Sequence, residues 1–244
     1  MQPKKISLYL LLSLSILFTQ CSKKDATSAN SNLNNRTVGA SANEILSSGS
    51  YSSIRLQINY MPGFAPDGAA LNNLVTYLTA LINKPNGIII TQAQIAASGK
   101  TVLTLAEVYE IEKANRSFFT SGTQLAIYCL FVDCKYTDAN AIGLAYKNTS
   151  MVLFGQTVHE SSGAIGQIGR TKLETTVEEH EFGHLMGLVD LGSPMQVPHK
   201  DATSNHCNNS SCLMYFATNL GNLTGPIPML DNNCRNDLIA NGGR

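Results

Sequence analysis

Only five histidines occur in this 244-residue chain. Two of them fall four residues apart in Glu178-Glu179-His180-Glu181-Phe182-Gly183-His184-Leu185-Met186-Gly187-Leu188. On a helix turning ~100° per residue, four steps return to within about 40° of the start. His180 and His184 therefore project from one face, a turn apart. Two neutral imidazoles so placed can bind one zinc ion. Glu181 lies beside them and need not be a ligand. It can take a proton from a water acidified by zinc to a pKa of about 7 and pass it to a leaving amine. Gly187 can end the helix in a left-handed turn, and the chain must turn there to bring in a third ligand. A metal site without catalysis is the competing reading of the same residues.

His-Glu-x-x-His-x-x-Gly resembles the metzincin family of zinc peptidases. In that family a third His follows two residues after the Gly, and a Met-containing turn lies below the zinc. Asp190 stands at that third position here, which resembles the snapalysins, whose third ligand is Asp. Downstream, His206-Cys207-Asn208-Asn209-Ser210-Ser211-Cys212-Leu213-Met214 resembles the archaemetzincin pattern of third His, Cys, four residues, Cys, one residue, Met. On that reading the two residues between Gly and third His have become eighteen, Leu188 to Asn205. We favour His206 over Asp190, because imidazole is a common zinc donor and the downstream spacing matches. His199 is a further candidate, and the unused group could orient a ligand imidazole. The resemblance implies that Met214 packs under the zinc. It also offers Tyr215 as an oxyanion donor, beside the plainer reading of a packed tyrosine. His159 is read as an ordinary polar residue.

Further upstream, Gly143-Leu144-Ala145-Tyr146 and Met151-Val152-Leu153-Phe154 resemble the metzincin edge strand and its neighbour. A peptide can add to a free sheet edge through main-chain hydrogen bonds. Archaemetzincins also place four Cys on a second, structural zinc. This chain has Cys207, Cys212 and Cys234, with Asp237 where the fourth would stand. Besides Cys21 there are five cysteines, so one is left over from any pairing within the chain. A local bridge Cys129–Cys134 and another Cys207–Cys212 are preferred to a second zinc in a protein that works outside the cytoplasm.

That location is read from the N-terminus. Lys4 and Lys5 precede an uncharged, mainly apolar run from Ile6 to Thr19, shorter than the ~20 residues that span a bilayer. This is the pattern of an export signal. Gln20-Cys21-Ser22-Lys23-Lys24 resembles a bacterial lipoprotein signal, in which the Cys is acylated; Gln20 stands where that pattern has a small residue. Acylation of Cys21 with more than one chain would anchor the protein to a membrane. Ser22 to Ser50 is rich in Ser, Asn, Ala and Thr without apolar periodicity, and reads as a flexible tether. The expected organisation is a signal peptide 1–20, a lipidated Cys21 and tether over 21–50, and a metallopeptidase domain over 51–244.

Within that domain Ile54, Leu56 and Ile58 alternate as a strand. Leu71, Leu74, Val75, Leu78, Leu81 and Ile82 mark a helix. A short strand at 88–90, a helix over 105–114, a strand over 125–132, a hairpin over 142–154, a helix over 171–188 and a last helix near 233–240 follow. The fold class is α+β, a mixed twisted sheet with helices and a loop-rich C-terminal part. The 17 basic and 17 acidic residues cancel, so nucleic acid is not an expected partner. The expected function is a zinc-dependent endopeptidase acting on peptide or protein, exported and lipid-anchored, and a monomer. The alternative is a non-catalytic lipoprotein that binds a protein or glycan. Glu181 separates the two, because a binding protein needs no base there.

Overall fold

A computed structural model of the chain describes residues 32–215 and 225–244. In chain order its elements are α1 (Ala42–Leu46), β1 (Ser53–Tyr60), α2 (Gly68–Leu81), β2 (Ile88–Gln94), β3 (Val102–Leu103), α3 (Leu105–Asn115), β4 (Gln124–Val132), β5 (Lys135–Tyr136), β6 (Gly143–Lys147), β7 (Ser150–Phe154), α4 (Gly155–Ser161), α5 (Arg170–Leu185) and α6 (Asn232–Ala240). Five strands form one sheet in the order β2-β1-β4-β7-β6. The first four are mutually parallel, and β6 alone runs antiparallel, against β7. The sheet is therefore mixed, and β6 is an edge strand.

The central strand β4 is buried on both faces, as its unbroken apolar run demands. Ile127, Cys129 and Phe131 pack on one side with Leu74 and Leu78 of α2 and with Leu173, Val177 and Phe182 of α5. Tyr128, Leu130 and Val132 pack on the other with Val108 of α3. Local chemistry starts the two amphipathic helices. The Asp67 carboxylate accepts from the N–H groups of Ala69 and Ala70 at the head of α2. Thr104 and Glu107 form a reciprocal capping box on α3.

The ordered body begins earlier than its composition suggests. The segment from Asn34 to Ser50, expected as tether, packs against the domain and corrects the boundary drawn at Tyr51. The buried Asn34 amide donates to Thr120 Oγ1, Ala126 O and Thr149 Oγ1, each at 2.9 Å. Ile45 and Leu46 of α1 are fully buried. Gly39 crosses Leu191 so closely that a Cβ there would lie 2.1 Å from the Leu191 carbonyl oxygen. Short polar residues look like linker in one dimension; here their amides satisfy buried carbonyls. The signal peptide, Cys21 and the first part of the expected tether lie outside the described residues. Among the described residues no helix is long and apolar enough to cross a membrane.

The disulfide expectations are also corrected. All five described cysteines are free thiols. Cys129 and Cys134 belong to different core layers, so the short spacing between them does not bring their sulfurs together. Cys207 and Cys212 are not bridged either; Cys212 Sγ faces Cys234 instead, at 3.6 Å, against about 2.05 Å for a disulfide.

Candidate metal centre and active site

Helix α5 carries the site because the fold buries it on nearly every side. Twelve residue positions along it are buried, including Glu174, Glu178, Glu179 and Glu181. The helix ends at Leu185, three residues before the expected Leu188. Gly187 takes φ +78°, and a Cβ there would lie 2.5 Å from the Ser193 nitrogen and 2.7 Å from Ala42 Cβ. Glycine is thus required by both the turn and the contact. The turn continues through Val189 and Asp190, both at positive φ.

His180 and His184 approach with Nε2 atoms 3.2 Å apart. Two ligands at about 2.05 Å on a tetrahedral ion lie about 3.3 Å apart. The His180 Nδ1 sits 2.8 Å from the Leu213 carbonyl. A carbonyl only accepts, so Nδ1 carries the proton and Nε2 keeps its lone pair. Burial lowers His180 to about 4, against the Leu213 carbonyl, which raises it. Burial likewise lowers His184, with His180 and His206 adding to the shift. Both rings are thereby held neutral, the state in which imidazole binds metal.

His206 completes the group. The ligand atoms of His180, His184 and His206 all lie within 4.8 Å of one another. A loop clamped at both ends presents it: Asp201 N–H donates to the His206 carbonyl at 2.7 Å, and Cys207 N–H to the Met214 carbonyl at 2.7 Å. Asp190 is elsewhere, an exposed carboxylate 3.2 Å from Lys200 Nζ. His199 is elsewhere too, buried with Nε2 3.4 Å from Asp237 Oδ2 and 3.5 Å from Cys234 Sγ. His159 stacks on Phe64 at 4.6 Å. Met214 lies against α5 at Gly183, where a Cβ would come 2.3 Å from its Sδ. The Tyr215 N–H donates to the Cys212 carbonyl at 3.0 Å.

The Glu181 carboxylate is nearly buried, and its Oε2 accepts from the Ala145 N–H of β6 at 2.6 Å. Burial raises its pKa to about 7, opposed by that hydrogen bond. A carboxyl near neutrality suits a group that both takes and gives a proton. The imidazoles and Glu181 open onto a cleft of about 650 Å³. Its apolar wall includes Val38, Ile142 and Leu191, and Asp138 and Asp201 also line it.

A second cluster begins at Cys207, the residue after His206. Ligand atoms of Cys207, Cys212, Asp231 and Cys234 lie within 4.8 Å of one another. The expected fourth member, Asp237, instead takes the Gln196 N–H on Oδ1. Asp231 escaped the sequence reading, which looked only downstream of Cys234; Asp231-Asn232-Asn233-Cys234 has the Cys-x-x-Cys step with Asp in the first place, and Asp231 also caps α6 through the Cys234 N–H. The 3.6 Å between Cys212 and Cys234 sulfurs is near the about 3.8 Å expected for two thiolates on one tetrahedral zinc. This Cys/Asp cluster could hold a metal ion.

The sequence reading also missed the buried carboxyl groups of α5. Burial raises Glu174 from its ordinary 4.5 to about 7, although its side chain accepts the Asp67 N–H. The folded form holds that proton more tightly than the unfolded chain does. Its stabilisation is thus complete below pH 4.5 and is lost as pH rises to about 7. The loss is on the order of 3 kcal/mol. Glu174→Gln keeps the acceptor and cannot ionise. In urea unfolding of the metal-free protein, the variant should therefore exceed the parent in stability at pH 8 and converge with it below pH 4.5. Equal stabilities at pH 8 would contradict the assignment.

No protein-family model matches the chain, and no curated protein matches it. Among solved structures it is similar to the crystal structure of archaemetzincin from Methanopyrus kandleri, with a TM-score of 0.50 over 79% of this chain and 96% of that one. The two are 11% identical, so the likeness speaks to the fold: a mixed sheet with helices, as in archaemetzincin.

Proposed function

We propose that the protein is a zinc-dependent endopeptidase. The observation that carries this reading is the convergence of three imidazoles on one point of a cleft, with the near-neutral carboxyl of Glu181 beside them. The donor set fits zinc, since three neutral histidines are a known catalytic combination that leaves a fourth position open. Zinc, when bound, supplies a Lewis acid that polarises a carbonyl and acidifies water. His180, His184 and His206 hold the ion, and the Leu213 carbonyl fixes the His180 tautomer. Glu181 accepts the proton of the attacking water and donates it to the leaving nitrogen. The outward main-chain groups of β6 other than the Ala145 N–H, which Glu181 occupies, pair with the substrate backbone and align the scissile bond with the cleft. Met214 supports α5 from beneath through Gly183. The same reading makes the protein an exported monomer, anchored to a bacterial membrane through an acylated Cys21.

Zinc-loaded protein should cleave a fluorogenic peptide mixture, stop on addition of 1,10-phenanthroline, and resume when zinc is restored. Intact peptides after incubation with fully loaded protein would reject the peptidase reading.

We further propose that Cys207, Cys212, Cys234 and Asp231 hold a second, structural zinc. It would brace the loop that carries His206, Leu213 and Met214. Protein purified under reducing conditions should contain two zinc ions per chain by elemental analysis, and Cys212→Ser should contain one. A parent content of one would remove the second site.

A further inference from the structure

The outer side of β6 carries a contact that pairing with a substrate does not explain. The Ile142 carbonyl accepts the Phe154 N–H across the ladder. Alternation along an antiparallel strand then turns the main-chain groups of Leu144 toward β7 and those of Gly143 and Ala145 outward. The outward Ala145 N–H is the one bonded to Glu181 Oε2, at 2.6 Å. Two residues earlier, Gly143 lies against the same side chain. A Cβ there would stand 3.0 Å from Glu181 Cγ and 3.1 Å from its Oε1, and 2.6 Å from Val177 Cγ1. The φ of Gly143 is not in the left-handed region, so backbone conformation does not demand glycine. Space does. A carboxylate on a mobile side chain samples several rotamers. Here one oxygen is tied and the volume beside the other is kept open by a missing side chain.

We infer that β6 positions Glu181, with the Ala145 N–H fixing Oε2 and the bare Cα of Gly143 leaving the volume that Oε1 occupies. Gly143 and Ala145 are thus positioning residues for the proton carrier. The inference rests on the proposed role of Glu181, but its test does not need turnover.

Acetohydroxamate is the probe. It chelates zinc through both oxygens and gives its hydroxyl proton to an adjacent carboxylate, so its affinity reports where that carboxylate stands. It is titrated into zinc-loaded full-length parent, Glu181→Gln, Gly143→Ala and Gly143→Ala/Val177→Ala, with zinc content measured for each. Gly143→Ala should keep its zinc and bind the probe about tenfold more weakly, as Glu181→Gln does, in line with loss of one charge-assisted hydrogen bond. The double variant relieves the contact with Val177 and keeps the one with Glu181, so it should remain weak.

Parent-like affinity in Gly143→Ala, recovery in the double variant, or zinc loss from Gly143→Ala would each overturn the inference. If Gly143→Ala does not fold, Ala145→Pro takes its place. It removes an outward N–H from an edge strand, where proline is tolerated. It should weaken the probe to the same degree, and parent-like binding would again overturn the inference. Peptide cleavage by the parent is measured alongside. A parent that binds acetohydroxamate tightly and cleaves nothing rejects the peptidase reading, while the affinities still decide the positioning role.

Discussion

Glu181→Gln is expected to keep its zinc and to lose about a hundredfold to ten-thousandfold in kcat, the span over which a positioned acid–base group acts. The substitution is nearly isosteric. The glutamine oxygen can still accept the Ala145 N–H that holds the carboxylate at 2.6 Å, so the side chain stays in place. What disappears is the capacity to carry a proton. His180, His184 and His206 are untouched, so metal content should match the parent, and substrate affinity should change little. The measurement pairs steady-state cleavage of a fluorogenic peptide with elemental zinc analysis on the same sample. Turnover within a few-fold of the parent would take Glu181 out of the mechanism. Loss of zinc would show instead that the carboxylate helps to hold the ion.

The second large effect separates the two third-ligand candidates. His206→Ala should weaken zinc binding at the active site by about a hundredfold or more, since even loss of a group behind a ligand costs 10–100-fold. Asp190→Ala should leave it unchanged. The reason is geometric. His206 shares a 4.8 Å sphere with the two helix imidazoles, whereas Asp190 is exposed and pairs with Lys200. Competition with a chromophoric chelator measures both affinities. Zinc lost from Asp190→Ala and kept by His206→Ala would reverse the assignment and favour the shorter turn after Gly187.

The expectations fail in instructive places. The segment Asn34 to Ser50 reads as linker because its polar residues show no period. Its order comes from hydrogen bonds to Thr120, Ala126 and Thr149, 86 to 115 positions away. The bridge between Cys129 and Cys134 fails because a residue on β4 and one just past its end face opposite sides of the sheet. The burial of the α5 carboxyls has no expectation behind it, since Glu174, Glu178 and Glu179 carry no sequence mark of it. By contrast, α2 and α3 follow from apolar spacing and their caps, both of which act within a few residues.

The sequence by itself determined what depends on short range. The four-residue step between His180 and His184 fixes a pair of imidazoles on one helical face, Glu181 is placed beside them by chain connectivity, and Gly187 marks the turn. The tertiary structure alone decided which distant residue joins them. Eighteen residues separate Gly187 from His206, and a loop of that length can close in many ways at nearly equal entropic cost. The choice is made by contacts of the folded chain: the Asp201–His206 and Cys207–Met214 hydrogen bonds, the packing of Met214 on Gly183, and the gathering of Cys207, Cys212, Asp231 and Cys234.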